Sequence, residues 1–320
     1  MKRLLKILLS LSLILIFVPA VAFAEGEDTG MPESVKISGT LGQTYVGIKE
    51  LDLSEVQQKG NKIIVTYEDG STDTYKCIEY KSGKNKKQGF YLNGDKNADE
   101  LCGNAEIRKG IKKGKNSVVF KVSFGEYKDI PMKTTVKATK LAAFPVSETY
   151  LYTGRKVYPK IVVKDGNGKK IPAKAYTVKY YNPKTDNFVK DPFGTKLGHY
   201  SYKVVFKKAY LKKYVSEALG DYVIGPEETF ITKATVGKKR ITLKWEKKSS
   251  GISGYVVQYS TYKDFRDLKE IRVKKSKNYL AIEKGLSSNK NYYFRVCTYK
   301  TYKGEKVYSK PSQTLRFKVK

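Results

Sequence analysis

The sequence has 320 residues, with 63 Lys or Arg against 31 Asp or Glu, which gives a formal net charge of +32 at pH 7. Aromatic residues make up 12% of the chain and 26 residues are tyrosines, so the composition excludes a disordered polar tail and favours β-strands. A zinc site needs a cluster of His and Cys ligands, whereas the sequence has one histidine and three cysteines scattered along the chain. The length suits two or three domains.

Residues 1–24 have the layout of a secretory signal peptide. A basic start is followed by an almost unbroken apolar run over residues 4–18, and the small residues of AFA, 22–24, provide a cleavage site. Because the apolar run is short for a membrane-spanning helix, we expect cleavage after Ala24 rather than a retained anchor. No second apolar stretch of spanning length follows. The mature chain is therefore expected outside the cytoplasm, with residues 25–33 as a short linker.

The first predicted domain covers residues 34–138. The stretch KIIVTYEDGSTDTYKC, 62–77, predicts a β-hairpin because Asp-Gly suits a tight turn, and the strand-like GFYLNGD and KGKNSVVFKVSF follow it. On these motifs the segment resembles a bacterial Ig-like domain. Cys77 and Cys102 are a candidate disulfide, worth about 3 to 4 kcal/mol in the chain-entropy account.

One loop of this domain invites a comparison with calcium-binding loops. NGDKNADE places oxygen-bearing side chains at Asn93, Asp95, Asn97 and Asp99. It lacks the glycine and the bidentate Glu of a calcium loop. The pattern therefore favours an ordinary polar loop, and we predict no metal ligands.

The second predicted domain covers residues 139–233. LYTGRKVYPKIVVKDGNGKKI, YTVKYYN and GHYSYKVVF predict strands, with a tight turn at DGNG. These motifs resemble a bacterial Ig-like repeat of Gram-positive surface proteins, from which the chain departs at 182–196 and 207–222. The stretch LKKYVSEAL, 211–219, is the best candidate for a short helix.

The third predicted domain covers residues 234–320. RITLKWE, GYVVQYS, EIRVKK, NYLAIE, NYYFRVCTY and VYSKPSQTLRFKV alternate large apolar and polar residues, as strands of a β-sandwich do. The alternation also predicts that Cys297 is an outward thiol, on the face opposite the core.

The order of these motifs resembles a fibronectin type III domain. The resemblance implies a tyrosine corner formed by Leu286 and Tyr292, although the proline that the family has two residues after the leucine is Ser288 here. It also implies a structural core that includes Trp245, Tyr255, Val257, Leu286 and Tyr292. The lysine-rich form looks like that of Gram-positive bacterial surface proteins.

The positive charge rises along the chain. Residues 25–138 hold 19 basic and 17 acidic residues, residues 139–233 hold 18 and 8, and residues 234–320 hold 23 and 6. Only 8 of the 63 cations are arginine, and lysine is a point charge that suits diffuse attraction to a polyanion better than base-specific reading of nucleic acid. The alternative is that the lysines only solvate strand faces and protect sheet edges from aggregation.

Exposed aromatic residues of the third domain form a candidate contact surface. Tyrosines interleaved with lysines can stack on sugars or contact a protein partner, or they can simply cover apolar surface on a small sandwich. The predicted contact residues are Tyr262, Tyr299, Tyr302, Tyr308, Lys303 and Lys306.

Catalytic motifs are missing from the sequence. It contains no Gly-rich phosphate loop, and His199 and Cys297 would have to meet across two domains to form a nucleophile pair. A pair of glycosidase carboxylates stays an alternative because any two acidic residues can meet in space, although small Ig-like sandwiches seldom offer a deep cleft. We therefore predict no catalytic residues and no cofactor. The final LRFKVK carries no sortase-type motif and residue 25 is Glu rather than a lipid-accepting Cys, so we expect ionic retention rather than covalent anchoring.

Together these patterns predict an all-β chain of tandem Ig-like and fibronectin type III β-sandwich domains. The expected function is that of a secreted or cell-wall-associated adhesion or scaffold protein without enzymatic activity. Its expected partners are anionic cell-wall polymers or polysaccharide, and other surface proteins are further candidates. The alternative is a carbohydrate-binding or accessory module of an extracellular enzyme system.

Overall fold

The structure, a computed structural model, describes residues 31–82, 85–124 and 129–320, so the predicted signal peptide lies outside the described residues. Within these ranges 55% of the residues lie in strands and 4% in helices, so nearly all of the regular secondary structure is β, which confirms the predicted fold class. None of the helices among these residues has the length and apolar character needed to cross a bilayer.

The chain divides into two compact units. Unit 1 contains the described residues up to 144 together with 163–175 and 206–216, and unit 2 contains 145–162, 176–205 and 217–320. Segments of the predicted second domain therefore belong to both units. The division into three domains with boundaries near 138 and 233 remains a prediction.

Unit 1 is built on two main sheets. One has the order β1-β4-β5-β6, and the other has the order β2-β9-β8-β7-β3, in which β2 runs parallel to β9. A short helix, α1 (Leu53–Val56), is capped by Asp52, whose carboxylate accepts the Ser54 N–H at 2.8 Å. The strands are β1 (Pro32–Ser38), β2 (Gln43–Val46), β3 (Glu50–Asp52), β4 (Lys62–Tyr67), β5 (Thr72–Ser82), β6 (Asn85–Leu92), β7 (Cys102–Glu106), β8 (Gly114–Ser123) and β9 (Ile130–Leu141). A small two-stranded sheet pairs β10 (Ala143–Pro145) with β12 (Val163–Asp165).

The predicted hairpin around Asp-Gly is present between β4 and β5. Gly70 has φ +82°, a conformation that glycine adopts without strain, and the Asp69 carboxylate accepts the Ser71 N–H at 2.8 Å. Alternate residues of the sheets point into one core, where Ile63, Phe90 and Phe120 are fully buried.

Unit 2 contains three sheets. The first has the order β11-β16-β15-β13-β14, the second β17-β18-β21, and the third β20-β19-β22-β23 with β24 also paired to β22. The strands are β11 (Glu148–Leu151), β13 (Tyr176–Asn182), β14 (Asn187–Val189), β15 (Gly198–Phe206), β16 (Glu217–Gly225), β17 (Ile231–Gly237), β18 (Arg240–Trp245), β19 (Gly254–Ser260), β20 (Lys269–Lys274), β21 (Tyr279–Ile282), β22 (Asn291–Tyr302), β23 (Glu305–Tyr308) and β24 (Leu315–Lys318).

The short helix predicted over residues 211–219 is wrong. The chain instead forms a 3₁₀ turn at Lys208–Tyr210 and then extends into β16. Tyr214 is buried with its ring stacked on Phe206 at 5.2 Å, and the Val215 N–H donates to the Leu141 carbonyl. These non-local contacts hold the backbone extended and override the local helix propensity.

The candidate disulfide between Cys77 and Cys102 is not formed in the structure. Cys77 lies on β5 with its side chain buried, and its Sγ accepts a hydrogen bond from the Gln88 side chain at 3.3 Å. Cys102 lies on β7, in the other sheet, and is exposed. Because one side chain is buried in the core and the other is exposed to solvent, the two sulfur atoms are not placed to form a disulfide.

Candidate binding surface of the C-terminal domain

The aromatic residues assigned to the core of the last domain lie inside it. Trp245 on β18 is 1% exposed, and its ring packs against Tyr255 of β19 at 5.4 Å between centroids. Val257, Leu286 and Tyr292 belong to the same buried cluster. These side chains fill the space between two sheets and are inaccessible to a ligand.

The arrangement expected of a tyrosine corner is present at the start of β22. The Ser287 N–H, directly after Leu286, donates to the Tyr292 hydroxyl oxygen at 2.9 Å. Ser288, which stands where the fibronectin family has proline, donates from its hydroxyl to the Lys320 carbonyl at 3.0 Å. The departure from the family pattern therefore provides a bond between this loop and the C-terminal segment.

The prediction that Cys297 is an outward thiol is wrong, although it does lie on the face opposite Phe294 and Val296. The residue is 2% exposed, and burial raises the pKa of its thiol to about 12. Val256, the strand neighbour of Cys297 on the same face of the sheet, is also buried. The same face carries Arg295, whose side chain donates to the side-chain oxygen of Gln258 at 2.6 Å. Alternation gave the correct face of the strand but not its burial.

Part of the predicted contact surface assembles on the hairpin of β22 and β23. Tyr299 lies opposite Tyr308 in the strand register, and their ring centroids are 6.1 Å apart. Lys306 lies opposite Thr301, two residues along from Tyr299, and therefore shares its face. Tyr302 is three residues from Tyr299 and points to the other face. The hairpin thus presents a half-buried tyrosine pair flanked by an exposed lysine.

The other two predicted contact residues lie apart from the tyrosine pair. Lys303 occupies the hairpin turn with φ +51°, and its Nζ is 5.8 Å from the centroid of the Tyr302 ring. Tyr262 follows the end of β19, whereas the tyrosine pair lies at the start of that strand, opposite Gly254. A strand of this length separates them by roughly 20 Å. The Arg266 guanidinium instead lies over one face of the Tyr262 ring, 3.8 Å from its centroid, and Tyr262 is 43% exposed.

Most lysines of the last domain have no carboxylate within 4.0 Å among the residues that the structure describes. Among the described residues, the ion pairs of 234–320 are Arg240 with Glu283, Arg266 with Asp264, and Lys248 with two glutamates. Among the described residues, Lys248 is the one lysine of 234–320 whose ammonium group has a carboxylate oxygen within 4.0 Å. The remaining lysines leave a field of uncompensated positive charge that attracts anions.

The other two sites considered from the sequence are the polar loop after β6 and the pair of His199 and Cys297. In the loop after β6 the Asp95 carboxylate accepts the Asn97 N–H at 2.9 Å, as in an ordinary Asx turn. Within the described ranges, no three His, Cys, Asp or Glu side chains group closely enough to hold a metal ion. His199 is exposed on β15, and Cys297 is buried in the last domain.

Comparison with known proteins gives a family for one part of the chain. The Fibronectin type III domain family matches residues 226–315. Among solved structures, the chain is similar to the fn3 domain of human contactin 1, at 18% identity over 30% of this chain and 80% of that chain, with a TM-score of 0.26.

Two multidomain structures are also similar. The FN1–FN3 domains of chicken CNTN1 match at 13% identity over 91% of this chain and 100% of that chain, with a TM-score of 0.26. A two-domain fibronectin type III segment of chicken tenascin matches at 18% identity over 52% of this chain and 97% of that chain, with a TM-score of 0.25. The comparison with curated proteins found no match. Residues 226–315 of this chain form a fibronectin type III domain.

Proposed function

We propose that this chain is a secreted, cell-wall-associated adhesion or scaffold protein without enzymatic activity, held on anionic envelope polymers by its lysine-rich β domains. The observation that supports the proposal is the charge of the C-terminal domain. Residues 234–320 carry 23 basic and 6 acidic residues, and most of these lysines lack a carboxylate partner among the described residues. A small β-sandwich with this charge is retained on a polyanion without a covalent anchor.

The expected binding is electrostatic and depends on salt. Each lysine that approaches a phosphate displaces condensed counterions, so affinity falls steeply as salt rises. Screening limits the attraction to about 8 Å at physiological ionic strength, so clustered charge contributes most. Lysine, as a hydrated point charge, fits this diffuse attraction better than a geometric recognition of one base or sugar.

Co-sedimentation of the full chain with purified cell walls tests the proposal. The walls are used with and without their teichoic acid, at low and high salt. One variant changes four exposed lysines of the last domain to Gln, and a control variant changes four exposed lysines of unit 1 to Gln. The first set is Lys274, Lys277, Lys303 and Lys306, and the control set is Lys36, Lys62, Lys121 and Lys133.

We expect the first variant to bind walls several-fold more weakly than the control variant, and both to be released by high salt. Binding that ignores salt, or that falls equally in both variants, would show that the charge serves solubility. In that case the carbohydrate-binding alternative takes precedence, because the Tyr299–Tyr308 pair offers a half-buried aromatic platform. Its signature is binding that survives high salt and is lost in Tyr308→Ala.

A further inference from the structure

A concave pocket in unit 1 is surrounded by lysines. It has a volume of ≈ 530 Å³, within the range of small-ligand sites. Its floor includes Val46, Ile111 and Leu141, and no acidic side chain lines it. The five basic residues that line this lysine pocket are Lys109, Lys112, Lys113, Lys212 and Lys213.

Close backbone contacts form the base of the lysine pocket. Gly47 has φ +92° and donates its N–H to the Ile111 carbonyl at 2.8 Å. A side chain at Gly47 would collide with the backbone of Gly166, and a side chain at Gly166 would collide with the Val46 carbonyl. Glycine at both positions therefore lets the DGNG turn approach the end of β2 and close one wall of the pocket.

The lysines are carried by turns that are fixed by hydrogen bonds. The Asn116 side chain accepts the Lys112 N–H at 2.9 Å and donates to the Lys112 carbonyl at 2.8 Å, which holds the turn that carries Lys113. The Leu141 N–H donates to the Lys213 carbonyl at 2.9 Å. The Gly110 N–H closes a further turn next to Lys109. The backbone positions that carry these lysines are therefore set before any ligand binds.

This arrangement gathers positive charge that the protein does not neutralise. Within the part of the chain that the structure describes, none of the five lysines has a carboxylate within 4.0 Å. The nearby carboxylate of Asp165 is turned into its own loop, where it accepts the N–H groups of Asn167 and Lys169, both at 3.0 Å. Like charges around a concave site repel one another, and a bound anion relieves that repulsion.

We propose that the lysine pocket is a binding site for phosphate groups. Five lysines and no arginine provide point charges, the form in which lysine binds phosphate, rather than the planar fork that arginine presents to a carboxylate. The apolar floor also leaves room for the carbon skeleton of a phosphate ester. The pocket lies in unit 1, where three of its lysines belong to the nearly neutral segment 25–138 and the other two, Lys212 and Lys213, lie later in the chain. The proposal does not rest on the envelope role proposed for the C-terminal domain.

The test is calorimetric titration of the full chain with two soluble probes at low salt. Inorganic pyrophosphate represents a free phosphate compound, and a short glycerol-phosphate oligomer represents a phosphodiester polymer. The pocket variant changes Lys112, Lys113 and Lys213 to Gln, and the matched variant changes Lys62, Lys121 and Lys133 to Gln, which removes the same charge from the same unit. Thermal unfolding verifies that both variants fold.

We expect the pocket variant to bind the preferred probe at least about tenfold more weakly, since charge-assisted hydrogen bonds are lost, while the matched variant binds nearly as the unmodified chain does. Asn167→Asp provides a second variant if the triple change impairs folding. Asn167 is exposed and lines the pocket, and the substitution replaces its side-chain amide with a carboxylate. The added negative charge should also weaken the binding of an anion.

The proposal is overturned if neither probe binds, or if the matched variant loses as much affinity as the pocket variant. Pyrophosphate binding alone identifies a free phosphate compound as the ligand, and oligomer binding alone identifies a polymer. Because both probes are soluble and the pocket variant leaves the lysines of 234–320 unchanged, failure here is separate from failure of wall binding, for which the lysines of 234–320 are the ones tested.

Discussion

At the scale of the residue, Trp245 tests whether the aromatic residues of the last domain are structural. The side chain is 1% exposed and packs on Tyr255, so we expect Trp245→Ala to destabilise the protein by about 3 to 5 kcal/mol. Denaturant unfolding measures this change. Tyr279→Ala is the matched control because Tyr279 is 52% exposed, and it should cost far less. A Trp245→Ala protein of normal stability that has lost only binding would make Trp245 a ligand contact instead.

The three thiols differ in burial, and this difference predicts how fast each one reacts. Cys102 is exposed, whereas Cys77 and Cys297 are buried, and burial raises the pKa of both buried thiols. A thiol reagent at pH 8 should therefore react quickly with one thiol in the native protein and with three after unfolding.

Cys102→Ser is the control for this experiment and should remove the fast reaction. A disulfide between Cys77 and Cys102 would give no fast native thiol and one thiol after unfolding. The same count therefore decides between the structure and the pairing suggested by the sequence.

At the scale of the element, serine side chains of the SKPS segment between β23 and β24 accept hydrogen bonds from backbone N–H groups of β22 that a paired strand would otherwise accept. The Ser309 hydroxyl accepts the Thr298 N–H and the Ser312 hydroxyl accepts the Val296 N–H, both at 3.0 Å. Pro311 has no N–H, so the segment cannot continue a regular strand across it. The two serine hydroxyls therefore provide acceptors for backbone N–H groups of β22 in the stretch between its pairings with β23 and β24.

This arrangement predicts that each of Ser309→Ala and Ser312→Ala costs about 1 to 3 kcal/mol, because a buried backbone N–H loses its acceptor. Thr314→Ala, at an exposed neighbouring position, should be close to neutral. Chemical denaturation of the three variants measures the difference. Equal stability of all three would mean that water replaces the hydroxyls and that the bonds contribute nothing.

Most strands could be predicted from the sequence, and the exceptions have physical causes. In the last domain the period-two pattern located β18, β19 and β22, because one face of each strand packs into a core. The same pattern could not show that the opposite face at Cys297 is also buried, since that depends on neighbouring strands. The extended chain around Tyr214 was missed because its partners lie far away in sequence.

At the scale of the whole molecule, the sequence located the charge but not the lysine pocket. The gradient toward the C-terminus is visible in composition, and it directed attention to the last domain. The pocket combines Lys112 and Lys113 with Lys213, which are about a hundred positions apart, through turns that only folding brings together. A signal was present in the paired lysines of IKKGK and LKKY, but nothing in the sequence shows that these segments meet.

Limited proteolysis shows where the chain can be cut into independent parts. The boundary proposed near 138 falls within β9 (Ile130–Leu141), where Ala138 is 0% exposed, and the Ala142 N–H donates to the Val46 carbonyl. The boundary proposed near 233 falls within β17 (Ile231–Gly237). Proteases need a locally unfolded segment, and paired, buried strands resist cleavage. We therefore expect limited proteolysis of the full chain to spare both strands.

Mass spectrometry of the limit digest identifies the ends of the surviving fragments. We expect these ends to lie outside β9 and β17, and the fibronectin type III domain to survive as a fragment that includes Thr229, whose hydroxyl donates to the Glu246 carbonyl at 2.7 Å. A fragment that ends near 138 and still unfolds cooperatively would contradict this expectation. It would show that the first domain is stable without Leu141 and Ala142, and hence without the turn that carries Lys213 to the lysine pocket.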